Sequence, residues 1–212
     1  MRSRVFIFDL DNTLHDASAR VFPQINAAMT RYLGEHLRLE REQADFLRVH
    51  YWRRYGATLG GLMRHHGTDP HHFLRETHTF HDLESLLVSS KVLLLALRRL
   101  PRRKLVFSNA PTHYVEAVLA ALGIARLFRV IHCIEHTGFR PKPQLHGFRR
   151  LIGRARLNPR SCVFIDDSSE NLRAAKALHM RTVLVSTKMQ KRLYIDKCVA
   201  NQRQFAQLLR RA

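Results

Sequence analysis

Asp9 and Asp11 follow directly on the apolar run Val5-Phe6-Ile7-Phe8. Two carboxylates two residues apart on an extended chain point the same way, so one pocket beyond the run could receive both. At about 4 Å they would repel by ~4 kcal/mol at an effective dielectric of ~20. A bound cation or a retained proton relieves that repulsion. A hydroxyl and an amide, Ser108-Asn109, close a second apolar stretch, Lys104-Leu105-Val106-Phe107. Lys142 stands between Pro141 and Pro143, and Asp166-Asp167-Ser168 closes a third stretch, Ser161-Cys162-Val163-Phe164-Ile165. The order is acid pair, hydroxyl, lysine, acid pair. Taken singly, the first pair is also compatible with a solvated Asp-Asn turn, and Lys142 with a surface lysine in a proline-rich turn.

Side chains so far apart in sequence meet only if regular elements carry them together. Each apolar run is β-branched and aromatic and apolar on both faces, the pattern of a central strand in a parallel sheet. There a ligand sits beyond the carboxyl ends of the strands, where Asp9, Ser108 and Asp166 fall. From residue 89 onward the chain alternates helix and strand. Strands are predicted at Leu105 to Ser108, Val130 to Ile134, Cys162 to Asp166 and Thr182 to Ser186, with a last short one within Tyr194 to Val199. Helices are predicted from Ser89 or Ser90 to Pro101, from Thr112 to a stop at Gly123, and over Gln144 to Ala155, Ser169 to Leu178 and Gln202 to Arg211. This alternation gives right-handed crossovers and a parallel sheet covered on both faces. Residues 15 to 88 break the rhythm. Phe22, Ile25, Met29, Tyr32 and Leu33 recur at helical steps, and Gly34 weakens the end of that stretch. Glu40 to Tyr55 reads as a second helix stopped by Gly56, Thr58 as the cap of a third, and Asp69-Pro70 as the cap and first residue of a fourth.

The four motifs, in this order and at this spacing, resemble those of the haloacid dehalogenase superfamily over nearly the whole chain. The resemblance implies an α/β fold with a Rossmann-like parallel sheet core, helices on both faces and a helical cap inserted after the first strand. Residues 1–15 and 89–212 would form the core and 16–88 the cap. Asp9 would be the nucleophile, forming an aspartyl-phosphate that splits hydrolysis into two steps. Asp11 would be the general acid and base. Dehalogenases of the superfamily lack an acid at that second position, so Asp11 points to phosphoryl transfer. Mg²⁺ would be held by the Asp9 side chain, the Asp11 backbone carbonyl and Asp166, with Asp167 supporting it from further out or through water. Such sparse oxygen ligation suits Mg²⁺. Ser108 would give its hydroxyl, and Asn109 its backbone N–H, to phosphate. Lys142 would bring positive charge to the transferring group and tether Asp9. Asn171 departs from the pattern, standing where many members carry a further acid.

The stretch His50-Tyr51-Trp52-Arg53-Arg54-Tyr55-Gly56-Ala57-Thr58-Leu59-Gly60-Gly61-Leu62 resembles the small cap of pyrimidine 5'-nucleotidases, as does the wording of the first two motifs. It implies substrate contacts from Tyr51, Arg54, Tyr55 and Thr58. Aromatic rings can stack on a base and arginine can meet carbonyl or phosphate oxygens. Tyr51 and Tyr55, four apart, can equally pack the cap itself. The expected activity is Mg²⁺-dependent hydrolysis of nucleoside, above all pyrimidine, 5'-monophosphates. Another small phosphoester, a sugar phosphate or phosphoglycolate, is the alternative. A basic nucleic-acid- or protein-binding module on the same fold is the third.

At 212 residues, with 45% hydrophobic content, the chain can bury a full core. Its longest purely apolar run, Val92 to Leu97, is far short of the ~20 residues that span a bilayer, so no membrane partner is expected. Cys133, Cys162 and Cys198 read as reduced thiols of a cytoplasmic protein. Lys+Arg 36 against Asp+Glu 17 gives a formal charge of +19. The basic pairs are scattered and not interleaved with aromatics, so no specific nucleic-acid partner is expected. The expected partner is a small phosphorylated substrate, and oligomeric state is left open.

Overall fold

The computed structural model describes residues 4–100, 103–188, 190–200 and 202–210. Six strands form one parallel sheet: β1 (Val5–Phe8), β2 (Lys104–Phe107), β3 (Val130–His132), β4 (Cys162–Asp166), β5 (Arg181–Val185) and β6 (Lys197–Val199). Their order across the sheet is β3-β2-β1-β4-β5-β6. The first strand is therefore central, flanked by β2 and β4. Phe8 lies level with Val106 on one side and Ile165 on the other. That register brings Asp9, Ser108 and Asp166 to one edge of the sheet.

Alternation along β1 feeds two separate cores. Phe6 and Phe8 pack on one face with Val106 and Ile165, and Val5 and Ile7 on the other with Leu105, Phe107 and Phe164. The first face is covered by α6 (Lys91–Arg99), α7 (Thr112–Ala121) and α10 (Gln202–Arg210), the second by α8 (Leu145–Ala155) and α9 (Ser169–Ala177). Burying each large apolar side chain contributes ~1.5–3 kcal/mol, so the two-sided strands favour this layered arrangement.

Between β1 and β2 the chain forms α1 (Ala17–Leu37), α2 (Arg41–Tyr55), α3 (Thr58–His66), α4 (Pro70–His78) and the short α5 (Leu83–Leu86). Tyr32, Leu33, Ala44, Tyr51, Leu59, Leu62, Phe73 and Leu74 give this layer a core of its own, which Ile134 joins from the sheet side. The first helix serves both layers: Ala17, Val21 and Ile25 belong to the sheet-side core and Tyr32 and Leu33 to the helical one. Phe80, Leu83 and Leu86 pack back on the sheet-side core.

The local stop and start signals operate as read at Gly56, which caps α2 at φ 79°, and at Asp69, whose carboxylate accepts from His71 N–H at 2.8 Å. Gly34 does not weaken α1, which runs on to Leu37 because Tyr32 and Leu33 are buried beside it. The cap of α3 is Ala57, since the Thr58 hydroxyl turns back to donate to Arg48 C=O at 3.1 Å. The strand expected over Val130 to Ile134 ends at His132, because Ile134–Thr137 coils into a 3₁₀ turn. The helix expected to reach Pro101 ends at Arg99, and Pro101 lies outside the described residues, as does Arg211. Among the described residues no helix is long and apolar enough to cross a membrane.

Candidate active site

The edge where β1, β2 and β4 end collects the acids around one ammonium. Lys142 Nζ donates to Asp9 Oδ1 at 2.6 Å, to Asp166 Oδ2 at 2.8 Å and to Phe107 C=O at 2.8 Å. Three N–H bonds meet three acceptors, and the side chain is buried. Burial alone would lower the lysine's pKa. The charges of Asp166 and Asp9 and their hydrogen bonds outweigh it and hold the ammonium above its ordinary range. Asn109 explains how the lysine is aimed. Its Oδ1 accepts from Lys142 N–H at 2.7 Å and its Nδ2 donates to Lys142 C=O at 3.3 Å. The motif following β2 thus clamps the backbone of the proline-flanked loop, a use of the asparagine side chain that the sequence does not announce. Ser108 is buried, and its Oγ accepts from Ala110 N–H at 3.0 Å, while its hydroxyl proton meets no acceptor among the described residues.

Asp9 is 7% exposed. Burial pushes its pKa well up; Lys142 pulls it down, and the charges of Asp166, Asp167 and Asp11 raise it further. Asp167 is pushed up to about 6, first by burial and then by Asp166, against the lowering effect of Lys142 and the Asn12 side chain. Three acids, Asp9, Asp166 and Asp167, therefore feel the charge of one lysine. Carboxylate oxygens of Asp9, Asp166 and Asp167 lie within 4.8 Å of one another. A hard, all-oxygen donor set with excess negative charge fits Mg²⁺. Asp166 is fixed from behind: Ser168 N–H donates to Oδ1 at 2.8 Å, and Asn171 Nδ2 donates to both oxygens at 2.9 and 3.1 Å. Asn171 thus orients the acid it neighbours. A second cluster, Cys133, Glu135 and His136, is engaged locally, with both Glu135 oxygens accepting from Thr112 and His136 Nδ1 from Cys133 N–H.

Asp11 lies past the end of the strand, in a loop that turns at Asn12 with φ 59°. Two residues hold it. Tyr114 OH donates to Asp11 Oδ1 at 2.7 Å, and His15 Nε2 meets the same oxygen at 2.9 Å. Burial raises the tyrosine's pKa, and the charge of Asp11 raises it further, so its hydroxyl stays a donor. His78 and Phe80 pack their rings on Tyr114, each with centroids 5.9 Å apart. Burial pushes His78 down to about 4.

The four cap residues separate into two pairs. Tyr51 is 6% exposed, sits in the helical core and is hydrogen-bonded through its hydroxyl to His66 Nε2 at 2.8 Å. Thr58 is buried and spends its hydroxyl on Arg48. Both are thus packed and bonded within the helical layer. Tyr55 is half-buried with its hydroxyl on His65 at 2.6 Å, and the exposed Arg54 lies 5.9 Å from its ring. These two end α2 beside Gly56, where a Cβ would lie 3.5 Å from Pro141 Cγ. His71 likewise packs edge-on against Phe139, with centroids 5.1 Å apart. The end of α2 thus abuts the loop that carries Lys142. Away from the acids, a hollow of about 840 Å³ near the starts of β1, β2 and β3 is lined by Arg103, Arg129, Arg154 and Arg156.

The haloacid dehalogenase-like hydrolase family is matched over residues 4–179. Phosphate metabolism protein 8 of Saccharomyces cerevisiae is 27% identical over 199 residues, covering 85% of this chain and 61% of the relative. The chain thus spans less than two thirds of that relative's length. Among solved structures, the HAD-hydrolase YfnB from Bacillus subtilis bound to magnesium is similar with a TM-score of 0.62 and 18% identity, covering 99% of each chain. CbbY from Rhodobacter sphaeroides in complex with phosphate is similar with a TM-score of 0.66 and 18% identity, covering 95% of each.

Proposed function

Because the chain belongs to the haloacid dehalogenase-like hydrolases, we propose that it is a Mg²⁺-dependent phosphomonoester hydrolase working through a phosphorylated Asp9. The observation that carries the reading is the buried Lys142 bridging Asp9 and Asp166, with a further acid, Asp11, two residues beyond the first. Lys142 fixes Asp9 Oδ1, so Oδ2, reached by Thr13 Oγ1 at 3.4 Å, is the freer oxygen to attack phosphorus. Asp11 gives a proton to the departing alcohol and later takes one from the water that releases phosphate. Ser108 and the backbone N–H of Asn109 hold phosphate oxygens. Asp9, the Asp11 carbonyl and Asp166 would hold Mg²⁺, with Asp167 behind, and its charge would offset repulsion between these acids and an incoming phosphate dianion.

For the substrate we propose a nucleoside 5'-monophosphate, with a pyrimidine base read by Tyr55 and Arg54 at the end of α2. A sugar phosphate or phosphoglycolate is the second reading, favoured by the burial of Tyr51, which removes one of the two rings a base would stack on. Residues 16–88 are proposed as the cap that reads the leaving group. The free cysteines support a reducing compartment such as the cytoplasm. The test is phosphate release from a panel of nucleotides, sugar phosphates and phosphoglycolate. Release should require Mg²⁺, vanish in chelator, fall sharply in Asp166→Ala and vanish in Asp9→Asn, whose amide is nearly isosteric but a poor nucleophile. Near-normal turnover by Asp9→Asn would sink the covalent mechanism.

A further inference from the structure

We infer that His15 and Tyr114 are positioning residues that hold the Asp11 carboxyl by one oxygen and so fix the other, Oδ2, as the atom that carries the proton to the leaving group. The inference rests on the phosphatase reading of the site and names the proton path within it.

Both donors converge on Oδ1, at 2.7 Å from Tyr114 and 2.9 Å from His15. A carboxylate oxygen has two lone-pair sites, and these two bonds fill them. A proton arriving at Oδ1 would have to displace one. No donor among the described residues reaches Oδ2, which is left to exchange a proton with a ligand. The two holders come from different elements. His15 is four residues on in the same loop, tied back to Asp11 by an isolated β-bridge. Tyr114 is in the first turn of α7, just after Ser108 and Asn109. The helix that follows the phosphate-binding residues thus also aims the acid.

His15 shows that this is more than packing. Its ring is fully buried, and Nδ1 has no partner among the described residues. A buried ring nitrogen without a partner is costly, and an apolar side chain would fill the space at less cost. What the histidine adds is the Nε2–H aimed at Asp11.

In the step concerned, an Asp9 oxygen forms its bond to phosphorus as the bond to the leaving oxygen breaks. The electron pair of the breaking bond stays on that oxygen, and the proton from Asp11 Oδ2 neutralises it. A leaving group that is stable as an anion needs that proton little; a basic one needs it fully. The test is kcat/KM across aryl phosphates from 4-nitrophenyl phosphate to phenyl phosphate, with Mg²⁺ present. This parameter reports the steps up to leaving-group departure, so later use of Asp11 as a base does not enter. Tyr114→Phe, which removes one atom, should lose about 10-fold or more on phenyl phosphate beyond its loss on 4-nitrophenyl phosphate. That is a fraction of the ~100- to 10,000-fold that general acid catalysis supplies. His15→Leu should behave alike, while His15→Gln, which keeps an N–H near the same place, should restore the shallower dependence. An equal loss across the series in Tyr114→Phe with unchanged melting temperature overturns the inference and leaves the phosphatase reading standing. A wild-type protein inactive on every member of the series overturns that reading and the inference with it. If His15→Leu does not fold, the Tyr114→Phe series decides.

Discussion

Lys142 is both the cation of the site and a structural member. Removing it would leave Asp9 and Asp166 buried side by side with no positive partner. Breaking a buried ion pair in this way costs ~3–5 kcal/mol, so Lys142→Met should be destabilised by about that much in urea unfolding at neutral pH. The pH dependence has a definite sign. Burial already pushes Asp9 well above the ordinary 3.8, and the ammonium is the charge that pulls it down. A raised acid binds its proton more tightly when folded, so it contributes stability below its unfolded value that is lost as pH rises through the folded one. The deficit of Lys142→Met should therefore shrink towards pH 4 and be largest at neutral pH. A deficit independent of pH would mean the acids do not confront each other. The residues behind this argument were legible because each closes an apolar strand or stands between prolines. His15 and Tyr114 were not, since nothing local marks a tyrosine 103 positions away as the partner of Asp11. The clamp of Asn109 on Lys142, across 33 positions, was hidden for the same reason.

Between elements, α2 and α3 approach closely at Gly61. A Cβ on Gly61 would lie 2.1 Å from Tyr51 Cγ and within 2.6 Å of both Cδ atoms. The two helices therefore pack with a ring directly against backbone. Gly61→Ala must push the ring or the helix away. Overpacking of this kind costs ~1–3 kcal/mol, although alanine favours a helix interior by ~1 kcal/mol over glycine. We expect a net loss of ~1 kcal/mol or more in chemical unfolding, and no loss would show that the interface has slack. Glycine at 61 is thus a packing requirement. Stops and starts set by one or two adjacent residues, such as Gly56 and Asp69-Pro70, could be read from sequence. The continuation of α1 through Gly34 could not, because the burial of Tyr32 and Leu33 that overrides it depends on helices still to come. The early end of β3 was missed likewise: the turn after it forms around Glu135, which reaches Thr112 on another element.

Part of the charge of +19 gathers at the hollow beneath β1, β2 and β3, which four arginines line. Single-stranded DNA should bind weakly, without sequence preference, and release as salt rises. Each phosphate neutralised contributes ~0.7 to the slope of log affinity against log salt. Replacing Arg103, Arg129, Arg154 and Arg156 with Gln should lower that slope by up to ~3 if this hollow is where the strand rests. An unchanged slope would spread the charge effect over the surface, and tight binding at physiological salt would promote the nucleic-acid reading. The alternation of strand and helix made the sheet legible at this scale, and the helical insert with it. The sharing of one helix between two cores was not. That sharing makes α1 a lever. Its first half is set in the sheet-side core and its second half in the helical one. About 18 Å of helix separates Val21 from Leu33, so a tilt of ~10° about Val21 would swing the far end by ~3 Å. The short arm ends at the loop that carries Asp11, where Asn12 Oδ1 accepts from Ser18 N–H at 3.0 Å and Asp16 from Ala19 N–H at 3.1 Å. Leverage runs both ways along such a beam: a ligand bound against the far half of α1 would tug on the residue next to Asp11.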